Sequence, residues 1–150
     1  MILVYIAGPF RGDNAYEVHR NVCEAEALIL PIARLGCCPV CPHTMTAHFH
    51  GTVTDEFWLR STLALLAKCD ALVTTPRWLE SSGARNEVAR ATRLGLATFI
   101  GGADRRPLLR LAEWVSACDS RSEAIANRLK YTARGSARYA LAEWRDTHDA

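Results

Sequence analysis

The sequence predicts an α/β domain built on a parallel sheet, and three observations carry that expectation. Four short apolar runs recur along the chain: ILVYIA at 2–7, CCPV at 37–40, ALVTT at 71–75 and LATFI at 96–100. Segments of helical periodicity alternate with them. Glycine or proline closes three of the runs, at Gly8-Pro9, Pro76 and Gly101-Gly102. Strand–helix alternation of this kind implies right-handed crossovers and three layers, with helices on both faces of a sheet of four to five strands.

The elements follow in order. The first run is continuous and includes β-branched and aromatic members, as a strand covered on both faces requires. Residues 14–35 repeat apolar side chains with helical spacing (Val18, Val22, Ala25, Leu28, Ile29, Ile32), with Asn14 as a candidate cap and Gly36 as the end. Pro31 predicts a kink or an early stop. Cys37 to Val40 form the second strand, and residues 42–53 read as a long polar loop rich in His and Thr. A helix from Thr54 to Lys68 starts on a Thr54 cap. The third strand follows Asp70, then RWLESSG forms a loop, a helix spans 83–94, and Gly95 stops it before the fourth strand. After Pro107, helices are expected near 108–117 and 120–130. Gly135 breaks the remainder, where RYALAEWRD fits a last helix. Residues 1–104 thus form the α/β domain, and 105–150 a helical extension packed on it or partly disordered.

Composition bounds the function. A chain of 150 residues, 49% apolar and 23% charged, can build one real core and has no room for two ordinary domains. No run of about 18 apolar residues occurs, so a membrane-spanning helix is not expected. MILVYIAGPF lacks a basic leader and reads as an opening strand rather than a signal peptide. The 18 basic and 16 acidic side chains are interspersed, which argues against a nucleic-acid partner. The six cysteines fit reduced thiols in a cytoplasm. Cys38 and Cys41 have zinc-knuckle spacing with His43 close by, but a second CxxC is absent. The other reading of those cysteines is a short buried strand.

In parallel α/β sheets, ligands gather at the carboxyl ends of the strands. Three segments converge there. Gly8, Pro9, Phe10, Arg11 and Gly12 offer close backbone approach, an aromatic face and a cationic fork for a phosphate or carboxylate; the rival reading is a simple turn. His43 follows the second strand as a ligand donor, an acid–base group or a cap. After the third strand, Trp78 is either a stacking wall for a base or core packing. Ser81, Ser82 and Gly83 open a helix, where hydroxyls and backbone N–H groups suit an anion or sugar hydroxyls. On a wheel of about 100° per residue, Glu87 lies about 60° from the apolar stripe of Ala84, Val88 and Ala91, so it faces inward. A carboxylate there is costly unless hydrogen-bonded or used. An ionised glutamate at a pocket floor can attack a sugar carbon or stabilise an oxocarbenium ion; the alternative is a boundary residue bonded to the preceding loop. Asp55 and Glu56 are candidates for a second carboxylate, or simply favourable charges at a helix start. Asp70 reads as structural. No dinucleotide fingerprint or P-loop occurs.

The strings VYIAGPFRG, CPHT, KCDALVTTPRW and SSGARNEVARATRLG resemble the nucleoside 2-deoxyribosyltransferase-like superfamily, in a compact bacterial and phage branch, over about residues 1–100. The resemblance implies a flavodoxin-like or Rossmann-like domain that forms dimers or larger homo-oligomers. It implies cleavage of the N-glycosidic bond of a nucleoside or nucleoside 5′-monophosphate, with transfer of the sugar to another base or to water. It puts the glutamate nucleophile at Glu87, the phosphate- or hydroxyl-binding stretch at Ser81 to Gly83, and the glycine turn at Gly8 to Gly12. Many members carry an aspartate eight residues before the strand-leading Asp; here that position is Thr62, which cannot donate the same proton. Asp55 is the candidate substitute. The scheme requires no metal or organic cofactor. A non-catalytic nucleotide-binding or regulatory domain is the alternative.

Overall fold

The computed structural model describes residues 1–49, 51–101 and 106–121, with side chains to residue 118. Four parallel strands, β1 (Leu3–Ala7), β2 (Cys38–Val40), β3 (Ala71–Thr74) and β4 (Ala97–Phe99), lie in the order β2-β1-β3-β4. Tyr5 pairs with Val40 on one side and with Leu72 on the other. The strand order therefore reverses at β1 and β3, and a cleft opens at their carboxyl ends.

Alternation along the strands divides the core in two. Val4, Ile6, Ala71 and Val73 face α1 (Ala15–Glu26), α2 (Ile29–Arg34) and α6 (Pro107–Arg121). Tyr5, Ala7 and Leu72 face α4 (Asp55–Leu66) and α5 (Ser82–Arg93) through Leu66, Val88 and Ala91. This is the three-layer α/β arrangement expected, with a four-stranded sheet and an extra C-terminal helix. Leu111, Ala112 and Val115 of α6 are buried in the first layer's core. Among the described residues, no helix is long and apolar enough to cross a membrane.

Several caps behave as the sequence implies. Asn14 Oδ1 accepts the Glu17 N–H at 3.0 Å, and Thr54 Oγ1 accepts the Phe57 N–H at 3.3 Å. Gly36 and Gly95 end their helices at φ 78° and 73°, a region side chains resist.

Three expectations are corrected. The segment 14–35 is two helices, broken at Ala27-Leu28 rather than at Pro31. The proline ring would strike the carbonyl four residues back, at Ala27, so the first helix ends there and Pro31 sits harmlessly in the opening turn of α2. Residues 42–53 are not simply a loop: α3 (Pro42–Thr46) and a 3-10 turn (Ala47–Phe49) occupy most of it. Pro42 stands at the first helical position, where its missing N–H costs nothing. The helix expected at 108–117 continues to Arg121, because neither Gly nor Pro interrupts it. The expectations for 122–150 lie outside the described residues.

Candidate functional site

A cleft of about 610 Å³ lies at the reversal point, within the size range of small-molecule sites. Its first wall is the loop after β1. Gly8 is fixed by contact: a Cβ there would lie 2.4 Å from Thr75 Oγ1, so only glycine fits. His43 and Asn21, both buried, hold the loop. His43 Nε2 donates to the carbonyls of Gly8 at 3.2 Å and Pro9 at 3.0 Å. Carbonyls only accept, so these bonds assign the proton to Nε2. Nδ1 is then the bare nitrogen, buried with no partner among the described residues. Burial pushes the His43 pKa below its ordinary value. His43 therefore acts as a buried neutral anchor of the Gly8-Pro9 turn. Asn21 Nδ2 donates to Phe10 O at 3.2 Å and Arg11 O at 2.8 Å.

The second wall is the start of α5. Ser81 caps it, accepting the Ala84 N–H at 3.2 Å. Ser82 and Gly83 contribute the first two helix N–H groups, which have no intrahelical acceptor. A Cβ on Gly83 would meet Leu59 Cδ2 at 3.5 Å, ordinary contact, so the fold itself does not demand glycine there.

Glu87 lies deeper in the same cleft, only 9% exposed. The Tyr5 hydroxyl, fully buried on β1, donates to Glu87 Oε1 at 2.6 Å. Burial raises the Glu87 pKa to about 7, and the Tyr5 hydrogen bond opposes that rise. Tyr5 is itself raised well above its usual range, first by burial and then by the Glu87 charge. The inward orientation expected of Glu87 is therefore present, and its partner is a strand tyrosine rather than the preceding loop.

The remaining expected residues divide. Arg11 and Asp55 both line the cleft and pair at 2.8 Å, each 59% exposed. Asp55 is thus committed to a cation at the mouth. Phe10 lines the cleft, with its ring centroid 6.0 Å from that of His43. Of the two readings of Trp78, the structure shows the packing one: it does not line the cleft, its indole N–H donates to Gly101 O at 3.0 Å, and its ring packs on the Tyr5–Leu72 side of the core. The indole that lines the cleft is Trp58, whose buried Nε1 has no partner among the described residues. Asp70 is structural, accepting the Leu3 N–H at 2.8 Å.

The zinc reading fares differently. Among the described residues, no three His, Cys, Asp or Glu side chains cluster as a metal site would require. His43 Nε2 is occupied by carbonyls, and burial raises the Cys41 thiol above its ordinary value.

Residues 2–100 match the family model described as "Domain of unknown function (DUF7768)". The chain belongs to the DUF7768 family. Comparison with curated proteins found no match. Every residue lining the cleft falls within the DUF7768 match.

Sequence reasoning missed four members of this DUF7768 site. Tyr5 was one apolar letter among six in a core strand. Trp58 carries no signal beyond its place in the helix expected at 54–68. Asn21 lies in no motif, and Arg77 stands in the KCDALVTTPRW string without a role of its own; only their hydrogen bonds to each other and to the cleft loop expose them. Thr62, at the position where a carboxylate was expected, lines the cleft and donates to Leu59 O at 3.2 Å. The DUF7768 cleft thus presents one buried carboxylate, Glu87, held from the sheet side by the Tyr5 hydroxyl.

Proposed function

We propose that the domain cleaves or exchanges the N-glycosidic bond of a nucleoside or nucleoside 5′-monophosphate, with Glu87 as nucleophile. The observation that carries this reading is the buried Glu87 carboxylate, held at one oxygen by Tyr5 and sharing the cleft with the Ser82 and Gly83 start of α5. With Oε1 held, Oε2 is left to form a bond to C1′ while the C1′–N bond breaks and the base departs. Water or a second base then attacks C1′ and releases the carboxylate, so the configuration is retained overall. Arg11 and the Ser82 and Gly83 N–H groups suit a phosphate or sugar hydroxyls. Phe10 and Trp58 suit the base. The likeness of the sequence to the nucleoside 2-deoxyribosyltransferase-like superfamily supports the same assignment. Its homo-oligomeric, cytoplasmic setting belongs to the proposal too. The exposed Phe49, Phe57 and Leu59 beside the cleft mouth suit a second copy.

The test is a panel of nucleosides and nucleotides, with and without an acceptor base, read by chromatography for free base and new nucleoside. Glu87→Gln should abolish both products. Turnover unchanged by that substitution defeats the proposal.

A second reading is a nucleotide-binding domain without turnover. It is favoured by Thr62 in place of a carboxylate and by the commitment of Asp55 to Arg11. Calorimetric binding with no base release across the panel would select it.

A further inference from the structure

Arg77 joins three segments around the cleft. It stands in the loop after β3, just ahead of the 3-10 turn Trp78–Glu80 that leads to the Ser81 cap. Its Nε donates to both Glu24 carboxylate oxygens, at 3.1 and 3.2 Å, and Nη2 lies 3.0 Å from Glu24 Oε1. Nη1 reaches Glu80 Oε2 at 3.3 Å, within its own loop. Nη2 also donates to Asn21 Oδ1. Asn21 in turn spends both Nδ2 protons on Phe10 O and Arg11 O.

This fixes the amide orientation of Asn21. Its oxygen must face the guanidinium, so its nitrogen must face the two loop carbonyls. Phe10 and Arg11 have their peptides held there, while their side chains line the cleft. The Arg77 side chain is only 25% exposed, and two carboxylates neutralise it. It is therefore poorly placed to serve as an anion ligand. A planar fork that meets an acid and an amide at once is what arginine provides and lysine does not.

We infer that Asn21 and Arg77 are positioning residues: they clamp the loop after β1 to the loop before α5, setting Phe10 and Arg11 against the Ser81–Gly83 helix start. The clamp connects the two walls beyond the carboxyl ends of β1 and β3, where the strand order reverses. It deepens the glycosidic proposal in one arm of its test and stands without it in the other.

The experiment compares Arg77→Lys and Asn21→Asp with the unaltered protein. Asn21→Asp keeps an oxygen for Arg77 but loses both donors to the loop. Peptide-resolved hydrogen exchange is the first readout. Both variants should speed exchange across residues 8–14 by about tenfold or more, with the strand peptides 3–7 and 71–74 unchanged. The second readout uses the nucleotide turned over by the unaltered protein. Both variants should raise KM more than they lower kcat, and the pH midpoint set by Glu87 should stay in place. Exchange unchanged at 8–14, or accelerated equally in the strands, overturns the clamp. If no nucleotide is turned over, the glycosidic proposal fails while the exchange result still decides the clamp.

Discussion

Glu87 concentrates the energetics of the site in one side chain. Its folded pKa of about 7 exceeds the ordinary 4.5, so folding penalises the charged form. Stability conferred by the protonated carboxyl is fully present below 4.5 and is lost as pH rises through 7. A shift of that size corresponds to at most about 3 kcal/mol. Glu87→Gln keeps the shape and an acceptor for Tyr5 but carries no charge. It should match the native protein in unfolding free energy from urea near pH 4 and exceed it by up to about 3 kcal/mol above pH 7. An equal midpoint at both pH values would contradict burial of an ionising carboxyl. Turnover through an ionised nucleophile should rise with pH around 7. Tyr5→Phe removes the bond that lowers the Glu87 pKa, so the rising limb of the pH–rate profile should move to higher pH. The inward face of Glu87 was legible from helical spacing alone. Tyr5 was not, because strand alternation says which face a residue takes but not which helix side chain waits there.

At the scale of elements, the loops after β1 and β3 are set by steric contacts that no helix or strand pattern encodes. Gly8→Ala would push a methyl to 2.4 Å from Thr75 Oγ1. The expected cost is about 1–3 kcal/mol, as for other overpacked sites. Thr75→Ala should recover part of it in the double variant, since it removes the atoms struck. Additive losses in denaturant midpoint would show that the contact is not what constrains Gly8. Gly83→Ala offers the contrast: the same methyl finds only ordinary contact, so the fold should be unharmed while ligand binding weakens. Glycines at both places read identically in the sequence. The break between α1 and α2 was misplaced for a similar reason. Pro31 marks a constraint, but the constraint acts one turn earlier. The long segment 42–53 looked like a loop because its residues are polar and carry no apolar stripe, yet Pro42 opens a short helix that buries His43.

The whole molecule was the most legible level, because alternating apolar runs and helical repeats dictate a parallel sheet covered on both faces. What they could not fix is where the core ends. The DUF7768 match stops at residue 100, and the sequence reading likewise treated the chain beyond 104 as an extension. The part of the sheet face formed by Val73 and Phe99 is covered by α6, whose Leu111 is fully buried and whose Trp114 ring lies 5.8 Å from Phe99. A chain cut after residue 100 would expose the part of that face that α1 and α2 do not cover, which a small domain cannot easily sustain. Leu111→Ala should therefore cost about 2–5 kcal/mol, the range for a deep core leucine, although it lies outside the matched domain. Chemical denaturation measures it directly. A loss below about 1 kcal/mol, as at an exposed position, would make α6 an accessory and return the α/β unit to residues 1–104.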